Sequence, residues 1–88
     1  MSYQIMEDLE NNVVDWATCK GLVTGLSPLQ HLEESQRTMD YLEVAFNDNP
    51  EYLENEIGNL LVSLTLLAKT SGTTLTECLA VAYDNLTV

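Results

Sequence analysis

Five residues carry the pattern on which chemistry could be built: Glu33-Glu34-x-x-Arg37 and, further along, Glu56-x-x-Asn59. Residues three apart on a helix share a face, so an antiparallel pair of helices can bring 34/37 and 56/59 toward one another. With carboxylates at all four of those positions, the pair would hold magnesium through oxygen ligands. Here Arg37 and Asn59 stand at two of them. Other acids are poorly placed to help. Asp40 lies on a different side of its helix from Glu34, and Glu51 sits at the start of the next helix.

The elements that must position these residues are legible. Asn49-Pro50 has the features of an N-cap followed by proline at the first helical position, and an apolar series recurs at Leu53, Ile57, Leu60, Leu64 and Leu67. The spacing predicts a helix over about 50-71. Its broad stripe, with Leu61 and Ala68, is expected to serve the core; Val62 and Leu66 form a smaller apolar patch; Glu54, Gly58, Thr65 and Lys69 face water.

Upstream, Ser27-Pro28-Leu29-Gln30 reads as a capping box opening a helix over about 28-46, with Leu32, Ser35, Met39, Leu42 and Phe46 at helical spacing. Asn47-Asp48-Asn49-Pro50 is a turn by composition, so the two helices form a tight antiparallel hairpin. A first helix is expected over about Tyr3 to Lys20, with Met6, Leu9, Val13, Trp16 and Ala17 on its core face and Gly21 as its stop. Ser71-Gly72 ends the third helix, and Thr74-Leu75-Thr76-Glu77 opens a fourth through Cys78, Leu79 and Ala82 toward Leu86. The expected architecture is a single all-α domain, a four-helix bundle built on the central hairpin.

Bulk properties narrow the partners. An 88-residue chain has a modest core, so assembly with a second copy would help it. Val62 with Leu66 is the expected second contact of a homodimer. The formal net charge of -11 repels phosphate backbones and anionic membranes, which argues against direct nucleic-acid binding. Eight of the acids lie between Glu33 and Glu56, a distribution that suits a divalent cation, a basic protein surface or a solvated face. Cys19 and Cys78 have no metal-ligand spacing; they read as small buried residues of a reducing cytosol, or as a bridge to one another. The acidic opening residues lack the basic region of a secretion signal, no apolar run is long enough to span a bilayer, and a cytoplasmic location is expected. His31 is expected at a helix edge, while Tyr41 and Tyr52 border the hairpin as packing residues.

The order of these segments resembles the MazG-like all-α nucleoside triphosphate pyrophosphohydrolases, whose motif is Glu-Glu-x-x-Glu, an interval, then Glu-x-x-Asp. Trp16-Ala17-x-x-Lys20-Gly21 is similar to the end of that family's first helix, Glu56-Ile57-Gly58-Asn59 to its Glu-Ile/Leu-Gly-Asp, and Glu77-Cys78-Leu79-Ala80-Val81-Ala82-Tyr83 to its last helix. The resemblance covers roughly Val13 to Leu86.

It implies a homodimer or larger assembly in which magnesium bridges a nucleoside triphosphate and activates the water that releases monophosphate and pyrophosphate. Glu34 and Glu56 then match metal ligands, and Glu33 the first glutamate; Arg37 and Asn59 occupy the two lost ligand positions. Relative to that motif the site loses three units of negative charge. Each is worth about 1 kcal/mol for a divalent ion at contact distance even in water, so magnesium affinity is expected to fall by orders of magnitude. A guanidinium at Arg37 would pair with Glu34 or Glu56 instead. Two functions follow from the resemblance: a silent module that binds a nucleotide or a basic protein surface, or an active magnesium-dependent pyrophosphohydrolase.

Overall fold

The computed structural model describes residues 6 to 87, which form four α-helices: α1 (Met6–Cys19), α2 (Pro28–Asp48), α3 (Leu53–Thr70) and α4 (Leu75–Leu86). Among the described residues there is no strand. Tyr3, the expected start of the first helix, lies outside them.

Local chemistry accounts for most boundaries. At α2 the Ser27 hydroxyl accepts from the Gln30 amide N–H while the Gln30 side chain accepts from the Ser27 N–H, the reciprocal box expected there. Gly21 closes α1 and Gly72 follows α3, at φ of 74° and 88°, a region open to glycine at little cost. Thr74 caps α4 by accepting from the Glu77 N–H, but Glu77 does not return the bond and instead accepts from the Thr73 hydroxyl at 3.0 Å.

Helix α2 runs two residues past the expected end. Asn49 does not cap α3 through its side chain: Pro50–Tyr52 form one 3-10 turn, and the α-helix begins at Leu53. Proline enforces the change, because its predecessor is driven out of helical geometry; Asn49 sits at φ -139°, ψ 67°.

The hairpin of α2 and α3 is the centre of the fold, with α1 and α4 each laid against α3. Its packing keeps only part of the expected apolar stripe inside: Ala68 is buried and Leu53, Leu60, Leu64 and Leu67 are half-buried. Buried on α2 are His31, Ser35, Thr38 and Ala45, and on α3 Ser63, Thr65, Leu66 and Ala68. Thr65, expected to face water, and Leu66, expected at a dimer contact, are both inside, while Ile57 and Leu61 of the broad stripe are exposed. Small side chains let helices approach closely, and each of the buried hydroxyls is satisfied within its own helix: Ser35 donates to the His31 carbonyl, Thr38 to Glu34, Ser63 to Leu60 and Thr65 to Leu61. Polar type therefore did not predict exposure.

The buried apolar residues are Ala17, Ala45, Leu66 and Ala68, and among the described residues no large side chain is fully enclosed. Met6, Leu9 and Trp16 of the expected α1 core face are about half exposed. On the side of the hairpin away from α1, Met39, Leu60 and Leu64 line an apolar groove of about 410 Å³, and Leu32 and Phe46 are also exposed on α2.

Helix α4 has no buried residue along its length. Its first turn is nevertheless fixed. Glu10 of α1, 7% exposed, accepts from the Leu75 and Thr76 N–H groups at 2.8 and 3.1 Å and from the Thr76 hydroxyl at 2.6 Å. One buried carboxylate thus satisfies two N–H groups that a helix start leaves without partners.

Candidate functional site

A cavity of about 670 Å³ opens between the hairpin and the α1–α2 connection, on the opposite side from the apolar groove. Three segments wall it: Trp16, Leu22 and Leu26 from α1 and the connection; Gln30, His31, Glu33, Glu34, Arg37, Thr38 and Tyr41 from α2; and Glu56, Asn59, Val62, Ser63 and Leu66 from α3. All five residues singled out by spacing border this one cavity. Asp40 does not; it lines the groove behind, as its helix position implies.

Arg37 Nη1 donates to Glu34 Oε2 at 2.9 Å, an ion pair one helical turn long. Both side chains are at least half exposed, so water screens the attraction and the pair stabilises the fold by only ~0.3-0.5 kcal/mol. Its consequence is for binding. The guanidinium occupies Glu34, so a metal ion approaching that carboxylate meets a positive charge beside it. Glu33 is exposed, and Glu56, half-buried, accepts weakly from the Asn55 side chain at 3.5 Å.

These donors do not fit a resident magnesium ion. One carboxylate is tied to arginine, Asn59 offers only a neutral amide, and among the described residues no three His, Cys, Asp or Glu side chains come together to hold a metal.

His31 is the residue that spacing misplaced most. It is 3% exposed, and its Nε2 lies 3.0 Å from the Leu22 carbonyl oxygen. A carbonyl only accepts, so Nε2 is the donor of this bond. That bond ties the connection to α2 and brings Leu22 and Leu26 over the cavity. No periodicity marks such a contact, because it joins a ring nitrogen to a loop carbonyl nine residues upstream.

Trp16, expected in the core, is half exposed on the cavity wall. Val62 and Leu66, expected at the second contact of a dimer, line the cavity from α3 instead. Tyr41 borders the cavity, whereas Tyr52 is an exposed residue of the 3-10 turn outside it. Cys19 and Cys78 are both exposed free thiols, neither buried nor bridged, because each falls on the outer side of its helix. Among the described residues, no helix is long and apolar enough to cross a membrane.

Comparison with protein-family models, with curated proteins and with solved structures finds no match to the chain.

Proposed function

We propose that the chain is a MazG-like helical protein whose metal site has been lost, and that it holds a nucleotide-derived ligand in the hairpin cavity without hydrolysing it. The observation that carries this reading is the Arg37–Glu34 ion pair on the cavity wall: the positions that the resemblance assigns to metal ligands border one cavity, yet one ligand is neutralised by the residue replacing another. Asn59 on the facing helix removes a further charge. The cavity volume lies within the range of small-molecule sites, which favours a small ligand over recognition of a basic protein surface by the acidic face.

The functional unit in this reading is a homodimer formed through the groove side of the hairpin. Support comes from the absence, among the described residues, of any fully enclosed large side chain, and from the exposed apolar residues Leu32, Met39, Phe46, Ile57 and Leu61 on α2 and α3.

The test of the silent site is to incubate the protein with magnesium or manganese and a panel of nucleoside triphosphates while following pyrophosphate release. No turnover is expected from the wild type. Metal affinity, absent at millimolar ion, is expected to appear in the Arg37→Glu, Asn59→Asp double variant. Robust wild-type turnover that disappears in Glu56→Ala would overturn the reading, and so would a double variant that folds and gains no metal affinity.

A further inference from the structure

Every residue of α4 from Thr76 to Leu86 is exposed, and Leu75 is half-buried. Leu79, Val81, Tyr83 and Leu86 are all more than half exposed, so docking of this helix removes little apolar surface from water. What holds it is polar. Among the described residues, each hydrogen bond that crosses from α4 to another helix ends on Glu10, from the Leu75 N–H, the Thr76 N–H and the Thr76 hydroxyl. The one ion pair among the described residues lies on α2. Other bonds at this end are local: Thr74 accepts from the Glu77 N–H, and the Thr73 hydroxyl donates to the Glu77 carboxylate.

The end of α3 does not depend on α4. The Ser71, Gly72 and Thr73 N–H groups donate to the Leu67, Lys69 and Ala68 carbonyls, which closes that helix with Gly72 at φ 88°. Thr74, extended at φ -133°, ψ 157°, is the single residue between this closure and the first turn of α4. No residue of α4 borders the cavity or the groove.

We propose that α4 is a detachable arm: it undocks and melts as one unit, pivoting at Thr74, while α1, α2 and α3 stay folded, and Glu10 is its catch. An isolated helix of 12 residues is marginal in water, so once the three bonds to Glu10 break, little sustains the helical bonds beyond them. Opening frees the Glu10 carboxylate and the apolar side chains of residues 75 to 86 and leaves the cavity wall and the groove as they are. It does not depend on what the cavity binds.

Native-state hydrogen exchange of the intact protein measures the opening directly, followed residue by residue by NMR across sub-denaturing urea at one protein concentration. The α4 amides from Leu79 to Tyr83 are expected to share one opening, populated at least about 10-fold more than that of the best-protected α2 and α3 amides. Its urea dependence is expected to be well below theirs, because little surface is exposed. Thr76→Val removes one donor from Glu10 and keeps the shape of the side chain. It is expected to speed exchange by about 10-fold, and by the same factor at Leu79 as at Ala82, about 9 Å along the helix from Thr76. If the α4 amides exchange only with the free energy and urea slope of α2 and α3, there is no arm. Protection that declines step by step toward Leu86 and does not respond to Thr76→Val is end fraying, and it overturns the unit. The wild-type urea series decides the first of these without any variant. If the α4 amides open together but Thr76→Val leaves their rate unchanged, Glu10 is not the catch.

Discussion

Replacing Glu10 isolates the contact that holds α4. Both carboxylate oxygens are engaged, Oε2 by the Leu75 N–H and Oε1 by the Thr76 N–H and hydroxyl, and all three donors belong to the first turn of a helix that buries no side chain of its own. Hydrogen bonds to a charged acceptor contribute about 1.5-3 kcal/mol, and a negative charge at a partly buried helix start adds up to ~1-2 kcal/mol. These overlap, since the same bonds carry the charge effect. Glu10→Ala is therefore expected to destabilise by about 2-3 kcal/mol, with the two freed amides recovering part of the loss from water. Glu10→Gln keeps one acceptor but turns an NH₂ toward a donor, and is expected to cost about half as much. The assay is urea denaturation at one fixed protein concentration, because assembly makes stability depend on concentration. Hydrogen exchange gives the local readout: the Leu75 and Thr76 amides should speed up in Glu10→Ala by a larger factor than the α2 amides, which follow only the global loss. A loss below about 0.5 kcal/mol, with no change at those two amides, would refute the latch.

Other outcomes follow from specific contacts. In Gly25→Ala the new Cβ would lie 2.6 Å from the Gly21 carbonyl oxygen, a backbone atom, so the α1–α2 connection must shift; calorimetry should show a loss of about 1-3 kcal/mol. Gly58→Ala meets nothing within 4 Å inside an exposed stretch of helix and is expected to raise stability by ~0.5-1 kcal/mol in the same experiment. His31→Leu leaves the Leu22 carbonyl without its donor, and should cost about 1-2 kcal/mol in denaturant titration while loosening the cavity rim. Met39→Glu changes an exposed residue, worth no more than ~0.5 kcal/mol in a monomer; if the groove is the dimer face, sedimentation should show dissociation or an unfolded chain.

The hairpin, its capping box at Ser27, the glycine stops and the placement of 33, 34, 37, 56 and 59 around one cavity were all legible in the sequence, because each depends on contacts within a few residues or on helical period. What was not legible is which face looks inward. Apolar periodicity assigns the Leu53 to Leu67 stripe to a core on the assumption that the core belongs to the same chain. Here Ile57 and Leu61 are exposed, while Ser63 and Thr65 are enclosed. Leu53, Leu60, Leu64 and Leu67 are half-buried, so the inward face is shifted toward Ser63 and Thr65, and nothing local signals that shift, since a Ser or Thr that bonds its own helix carbonyl is equally content on either side. Glu10 was missed for a related reason: its partners are 65 and 66 residues away.

The arrangement also separates what the two sides of the hairpin can tolerate. On α2, residues 34, 37 and 41 border the cavity and residues 35, 36 and 39 border the groove; on α3 the division is 56, 59, 62 and 66 against 60 and 64. Helical period keeps the two sets on different sides of the same two helices. A change of charge at Arg37 or Asn59 therefore touches no residue that the groove uses. This is why the double variant Arg37→Glu, Asn59→Asp is a fair test of chemistry: it adds carboxylates to exposed cavity positions, breaks only one exposed ion pair, and leaves the groove intact. An unfolded double variant would contradict that separation, because it would mean that the cavity side carries stability the ion-pair geometry does not account for.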